Sequence, residues 1–291
     1  MELGTNDLPG VVVDAAWLAA SAGPHAASPG VVVADVRWYL DGRSGHAAYE
    51  AGHVPGAVFV DLGTALSSHG DTDPRDGRHP LPTPEAFAEA LGALGIGDDA
   101  TVVAYDDSGG ATAGRLVWML RAQGTAAALL NGGVQAWAGP LETGPGTAPE
   151  PAARRTRPWP AELVAGWAEV AALAPGTTLL DARAPERYRG DSEPVDPRAG
   201  HIPGARNLPV SRVLEPSTGR FADPAELRRR FAEVGITDGA DVIASCGSGV
   251  SACILLVALE HAGLGPGRLF VPSFSGWSSD PERTVATGER P

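Results

Sequence analysis

The residues best placed to do chemistry in this chain are Ser245-Cys246-Gly247-Ser248-Gly249-Val250-Ser251-Ala252-Cys253. An apolar, β-branched run, Asp241-Val242-Ile243-Ala244, leads into them, and an apolar helical pattern from Ile254 to Gly263 leads out. That order predicts a strand, a tight glycine turn and a helix, with Cys246 at the helix mouth. Such a turn aims successive backbone N–H groups into one concavity, and the helix N-terminus adds positive potential there. A cysteine held in this setting is favoured as the thiolate, its nucleophilic form. Cys246 is therefore the expected nucleophile.

Composition bounds what can surround it. A chain of 291 residues, 43% apolar, suits two domains of roughly 100–150 residues each. No apolar run approaches the roughly 20 residues of a membrane span. The acidic start, Met1-Glu2-Leu3-Gly4-Thr5-Asn6-Asp7, has no basic and apolar leader pattern, so no signal peptide is expected. Cys246 and Cys253 are the two cysteines present, seven positions apart, which does not make a disulfide framework. A cytoplasmic protein is the reading these features favour. A formal charge of −13 argues against nucleic-acid or anionic-membrane partners. All 22 basic residues are Arg, which excludes lysine Schiff bases, pyridoxal phosphate attachment and a P-loop lysine. No metal-ligand spacing stands out among seven scattered His, so no cofactor is expected.

The elements that must position the thiol are written twice. Val31–Arg37 matches Thr178–Arg183, Gly52-His53-Val54-Pro55-Gly56-Ala57 matches Gly200-His201-Ile202-Pro203-Gly204-Ala205, and Pro84-Glu85-Ala86-Phe87 matches Pro224-Ala225-Glu226-Leu227. Val102–Tyr105 matches Val242–Ser245, and the segment ending at Trp137 matches the one ending at Trp277. The two tryptophans lie 140 positions apart, which sets Asp106 of the first copy opposite Cys246. Alternating β-branched runs and helical patterns predict an α/β fold, each copy a parallel sheet flanked by helices on both faces. The expected domains are residues 8–140 and 161–291, joined by an exposed Pro- and Gly-rich linker over 141–160.

The Asp-x-Arg strands, the paired Gly-His-[Val/Ile]-Pro-Gly-Ala loops and the closing tryptophans resemble, over nearly the whole length, the tandem-domain rhodanese-like sulfurtransferases. The resemblance implies a first domain without the thiol and a catalytic second domain. The loop Cys246-Gly247-Ser248-Gly249-Val250-Ser251 is similar to that of the 3-mercaptopyruvate type, usually Cys-Gly-Ser-Gly-Val-Thr. Thiosulfate-preferring members place Arg and Lys within the loop, where this chain has Gly247 and Ser248. It implies attack of Cys246 on the donor sulfur and release of pyruvate. A persulfide cradled by the N–H groups of Gly247, Ser248, Gly249, Val250, Ser251 and Ala252 would then pass to a thiol, a thioredoxin-like protein or cyanide. Arg187, in Arg187-Tyr188-Arg189-Gly190, takes the position of a substrate-clamping arginine, and Arg198 is a second candidate. Ser248 and His53 are candidates for a proton relay, with Asp41 or Asp61 as orienters. Arg183 is expected to pin its own loop to a carboxylate, and Arg189 and Arg206 to make surface ion pairs. Cys253 and Trp277 read as core. One segment departs from the family: the usual Gly-Ser-Trp-x-Glu-Trp is here Pro272-Ser273-Phe274-Ser275-Gly276-Trp277.

Three other functions fit the same loop less well. A thiosulfate:cyanide sulfurtransferase would use the same persulfide. A cysteine phosphatase needs Arg at the sixth position after the thiol, which is Ala252 here. A non-catalytic binding module draws support from the altered segment at 272–277.

Overall fold

The computed structural model describes residues 8–21, 31–68, 70 and 73–291, so the expectation about the leader, which falls on residues 1–7, lies outside the described residues. The chain divides into two compact units. Unit 1 holds residues 1–67, 82–159 and 218–220; unit 2 holds 68–81, 160–217 and 221–291. Three segments thus fall elsewhere than the sequence boundaries put them, residues 218–220 of the second copy lying with unit 1. Residues 68–81 belong to the thiol-bearing unit, and the stretch expected to be a linker lies along unit 1. The backbones of His53 and Glu142 pair in both directions at 2.9 Å, Gly144 N–H reaches Glu50 O at 2.8 Å, and Ala152 N–H reaches Gly92 O at 2.9 Å. Among the described residues, no helix is long and apolar enough to cross a membrane.

In unit 1, strands β1 (Val12–Val13), β2 (Val31–Asp35), β3 (Val58–Phe59), β4 (Thr101–Tyr105) and β5 (Ala127–Leu130) form a parallel sheet in the order β1-β5-β4-β2-β3. Helices α1 (Ala15–Ser21), α2 (Gly45–Ala51), α3 (Leu62–Ala65), α4 (Pro84–Ala93) and α5 (Ala113–Ala122) connect these strands. Every residue of β4 and β5 is buried, as expected of strands covered on both faces.

Unit 2 repeats the plan with α6 (Trp167–Ala171), β6 (Thr178–Asp181), α7 (Pro185–Arg189), β7 (Ala205–Asn207), α8 (Pro224–Glu233), β8 (Val242–Ser245), α9 (Ala252–His261), β9 (Arg268–Leu269) and α10 (Ser273–Ser279). Its sheet is parallel, in the order β7-β6-β8-β9. Helix α9 is buried from Ala252 through Leu259, which accounts for its apolar character all round.

The repeated motifs are structural clamps. Arg37 grips Asp35 and donates to Gly52 O at 2.8 Å; Arg183 grips Asp181 and donates to Gly200 O at 2.7 Å. Each guanidinium ties a strand end to the Gly-His loop of its own unit.

Candidate active site

Cys246 follows β8 directly. The chain runs from β6 to β7 on one side of the sheet, while β8 and β9 lie on the other, so strand order reverses between β6 and β8. Open α/β sheets bind ligands at such a switch point. The Cys246 sulfur accepts the Gly249 N–H at 3.1 Å, and the Cys246 N–H donates to Ser273 Oγ at 3.1 Å. Gly249 is left-handed, with φ 76°, and a Cβ there would strike the Val271 carbonyl. Ser273 is also left-handed, with φ 51°, although it is not glycine. That strained backbone sets its hydroxyl beneath the Cys246 N–H while it donates to Phe270 O at 2.9 Å. Among the described residues, no acceptor pairs with the N–H groups of Gly247, Ser248, Val250 or Ser251, and Ser251 gives α9 no side-chain cap.

The counterpart loop in unit 1 shows what such amides bind. Asp106 follows β4, and its carboxylate accepts the N–H groups of Ser108, Gly110, Thr112 and Ala113 at 2.8–2.9 Å, with the Thr112 hydroxyl at 3.1 Å. The first loop is therefore an anion nest filled by its own side chain. In the second loop the shorter Cys246 side chain takes the carboxylate's position, and the loop amides named above have no such acceptor.

Residues 73–79 complete the site. Gly276 in α10 and Gly77 allow two backbones to meet closely: a Cβ on Gly276 would lie 2.5 Å from Arg75 O, and one on Gly77 would lie 2.5 Å from Pro272 O. The glutamate expected at position 276 has no room. Ser275 then joins segment to loop, its Oγ accepting the Arg78 N–H at 3.1 Å and its N–H donating to Gly247 O at 2.8 Å. His79 Nδ1 comes within 2.9 Å of Ser248 Oγ. A Cβ on Gly247 would lie 3.0 Å from Arg78 NH2 and 3.7 Å from Arg187 NH1. The positive charge absent from the loop sequence is thus present in space, delivered by two guanidiniums from outside it.

Those guanidiniums are held by carboxylates. Arg187 bonds Glu193 at 2.6 Å and Asp196 at 3.0 Å, Arg78 pairs with the other Asp196 oxygen, and Glu193 reaches Arg183 at 3.3 Å. Burial pushes the Asp196 pKa up, helped by Glu193 and resisted by Arg78 and Arg187. At Glu193 burial acts in the same upward sense but is outweighed, and the Arg187 guanidinium with the N–H groups of Asp196 and Val195 hold the pKa below the ordinary value. The thiol is nearly covered, with Cys246 1% exposed, whereas the Arg187 and Arg78 side chains are 19% and 31% exposed. The sulfur thus lies beneath side chains at the loop's rim.

Two expected participants have other partners in this structure. His53 lies stacked on Tyr49 at 3.9 Å with Nδ1 2.9 Å from Tyr49 O, and His201 repeats this against Tyr188 at 3.8 Å and 2.8 Å. The same ring stacking and Nδ1 contact recur in both units, only one of which has a thiol; the imidazole beside Ser248 is that of His79. Arg198 donates to the carbonyls of Trp277, Ser278, Asp280 and Arg283, fastening the end of α10. Asp41 bonds Arg43, and Asp61 caps α3 through Thr64 N–H at 2.8 Å. Arg189 pairs with Asp191 and Arg206 donates to Val234 O. Cys253 is fully buried with its sulfur 3.4 Å from Gly249 O, and Trp277 stacks on Trp167. Among the described residues, no three His, Cys, Asp or Glu side chains converge as metal ligands.

Comparison with known proteins gives the family. The rhodanese-like domain family matches residues 19–140 and again 165–280. A protein of Mycobacterium tuberculosis named putative thiosulfate sulfurtransferase SseB is 44% identical over 96% of this chain and 97% of its own. A probable 3-mercaptopyruvate sulfurtransferase of Pseudomonas aeruginosa is 42% identical over 90% of this chain and 94% of its own. The solved 3-mercaptopyruvate sulfurtransferase from Leishmania major superposes with a TM-score of 0.80 at 32% identity, covering 93% of this chain and 74% of that one.

Proposed function

Because the chain belongs to the rhodanese-like family, as a sulfurtransferase with two copies of the domain, we propose that it takes sulfur from 3-mercaptopyruvate onto Cys246 and passes it to a thiol. The observation that carries this reading is the Gly249 N–H aimed at the Cys246 sulfur from 3.1 Å, in a loop whose other amides face no internal carboxylate. The thiolate attacks the donor sulfur, forming the S–S bond as the C–S bond breaks. The electron pair moves to the pyruvate enolate, which gains a proton and leaves as pyruvate. Cys246 retains the outer sulfur as a persulfide, whose negative charge the loop amides stabilise. An acceptor thiol attacks that sulfur and regenerates Cys246.

Each neighbour has a part. Arg187 and Arg78 hold the donor carboxylate beside Gly247, where a guanidinium fork suits a planar carboxylate. Ser248 and His79, 2.9 Å apart, carry a proton between solvent and the developing enolate. A free thiol or a thioredoxin-like protein serves as acceptor, and cyanide serves as an artificial one.

A second reading, thiosulfate as donor, is favoured by the two guanidiniums at Gly247 and by the name of the M. tuberculosis relative. Steady-state kinetics with both donors separates the two. Mercaptopyruvate is expected to have the higher kcat/KM, with Cys246→Ser inactive on both; a higher value for thiosulfate would reverse the donor assignment.

A further inference from the structure

The three guanidiniums of Arg78, Arg183 and Arg187 meet three carboxylates, those of Asp181, Glu193 and Asp196, so the cluster beside the loop is neutral when all are ionised. Their roles differ. Asp181 belongs wholly to Arg183, and Glu193 grips Arg187 and Arg183 on the side of their own segment. Asp196 alone in this set touches both guanidiniums that flank Gly247, one with each oxygen. Its side chain has no exposed surface, and its direct ion pairs with these two cations offset much of the cost of burying its charge.

We propose that Asp196 is a specificity-determining residue of the donor site: by neutralising Arg78 and Arg187 it favours a singly charged keto acid over a doubly charged sulfonyl donor. The inference rests on the site reading above and refines it. A monoanionic carboxylate can share the two forks with Asp196, because each guanidinium presents more N–H groups than one carboxylate oxygen uses. A dianion of the thiosulfate kind brings a second negative charge against Asp196 in a poorly hydrated site, where like charges repel most strongly. The loop has no basic side chain of its own to compensate. Donor charge is thereby read by a residue that need not touch the sulfur.

The test measures anion binding directly, without turnover. Cys246 is alkylated with iodoacetamide, an uncharged reagent, at fixed ionic strength, and protection is titrated with pyruvate or with sulfate. The wild-type protein is compared with Asp196→Asn and with the smaller neutral variant Asp196→Ser, which guards against misfolding of either one. In both variants the half-protecting sulfate concentration should fall about tenfold relative to that of pyruvate, the scale of one partly screened charge. Asp196→Glu, which keeps the charge, should leave the ratio unchanged. An unchanged ratio in the neutral variants, or equal loss of protection by both anions, overturns the proposal. The outcome is separable from the donor reading. If the wild-type protein gains no sulfur from either donor yet the neutral variants show the ratio change, the donor reading fails and the Asp196 assignment stands. If it gains sulfur and the ratio is fixed, the reverse holds.

Discussion

His79 Nδ1 and Ser248 Oγ, 169 positions apart in the chain, lie 2.9 Å from one another. The segment carrying the imidazole reaches the loop because two glycines let it approach α10, and Ser275 ties its backbone to the loop. Removal of either member should slow proton delivery to the enolate. His79→Asn and Ser248→Ala are each expected to lower kcat on mercaptopyruvate by about 10²-fold, with a flattened pH profile for His79→Asn. Transfer from a donor whose leaving group needs no carbon protonation, such as thiosulfate, should suffer less. Equal losses on both donors would assign the pair a structural role.

The close contact at Gly276 gives a second test. A Cβ there would meet the Arg75 carbonyl at 2.5 Å, and backbone cannot yield as a side-chain tip can. Gly276→Ala should push residues 75–79 outward, withdrawing Arg78 and His79 together. Turnover is expected to fall at least as far as in His79→Asn, with Cys246 alkylated faster because its cover has moved. Wild-type alkylation and turnover in this variant would count against the placement.

Arg187 stands at the loop with its fork already ordered by Glu193 and Asp196. Its truncation removes a donor contact and leaves two carboxylates short of a partner. Arg187→Ala should cost about 2–5 kcal/mol in kcat/KM for mercaptopyruvate, mostly as raised KM. Steady-state kinetics reads this directly, and unchanged values would remove Arg187 from the donor site.

In unit 1 the matching position is closed by Asp106. Its buried carboxylate takes four N–H groups and a hydroxyl. Asp106→Asn turns an NH2 group toward donors that want an acceptor. It should lower stability by roughly 2–4 kcal/mol in urea unfolding, while sulfur loading of Cys246 per folded molecule stays at the wild-type level. Loss of loading in the folded variant would show that unit 1 takes part in the chemistry.

Much of this was legible from residue order. The duplicated Asp-x-Arg and Gly-His-x-Pro-Gly motifs announced two α/β copies because they are backbone clamps, and clamps recur wherever the fold recurs. Recurrence also bears on His53: a motif present in both copies reports the fold, whereas a difference between the copies points to chemistry. Arg78 and His79 carry that signal, since the positions 140 further on are Thr218 and Gly219. They were passed over because their segment lies within the first copy's numbering but folds into unit 2. Arg198 was inferred from a sequence pattern that fixes residue type but not direction; its fork turned to four carbonyls of its own unit. The Gly276 departure from the family pattern is the clearance that lets the backbone at Arg75 approach α10.

The most direct measurement of the central claim is the intact mass of the protein after brief exposure to 3-mercaptopyruvate and removal of excess donor. The wild-type chain should gain one sulfur atom, mapped to Cys246 by peptide analysis and discharged by added thiol or cyanide, and Cys246→Ser should gain none. A wild-type mass that does not change, or a sulfur found on Cys253 instead, would contradict it.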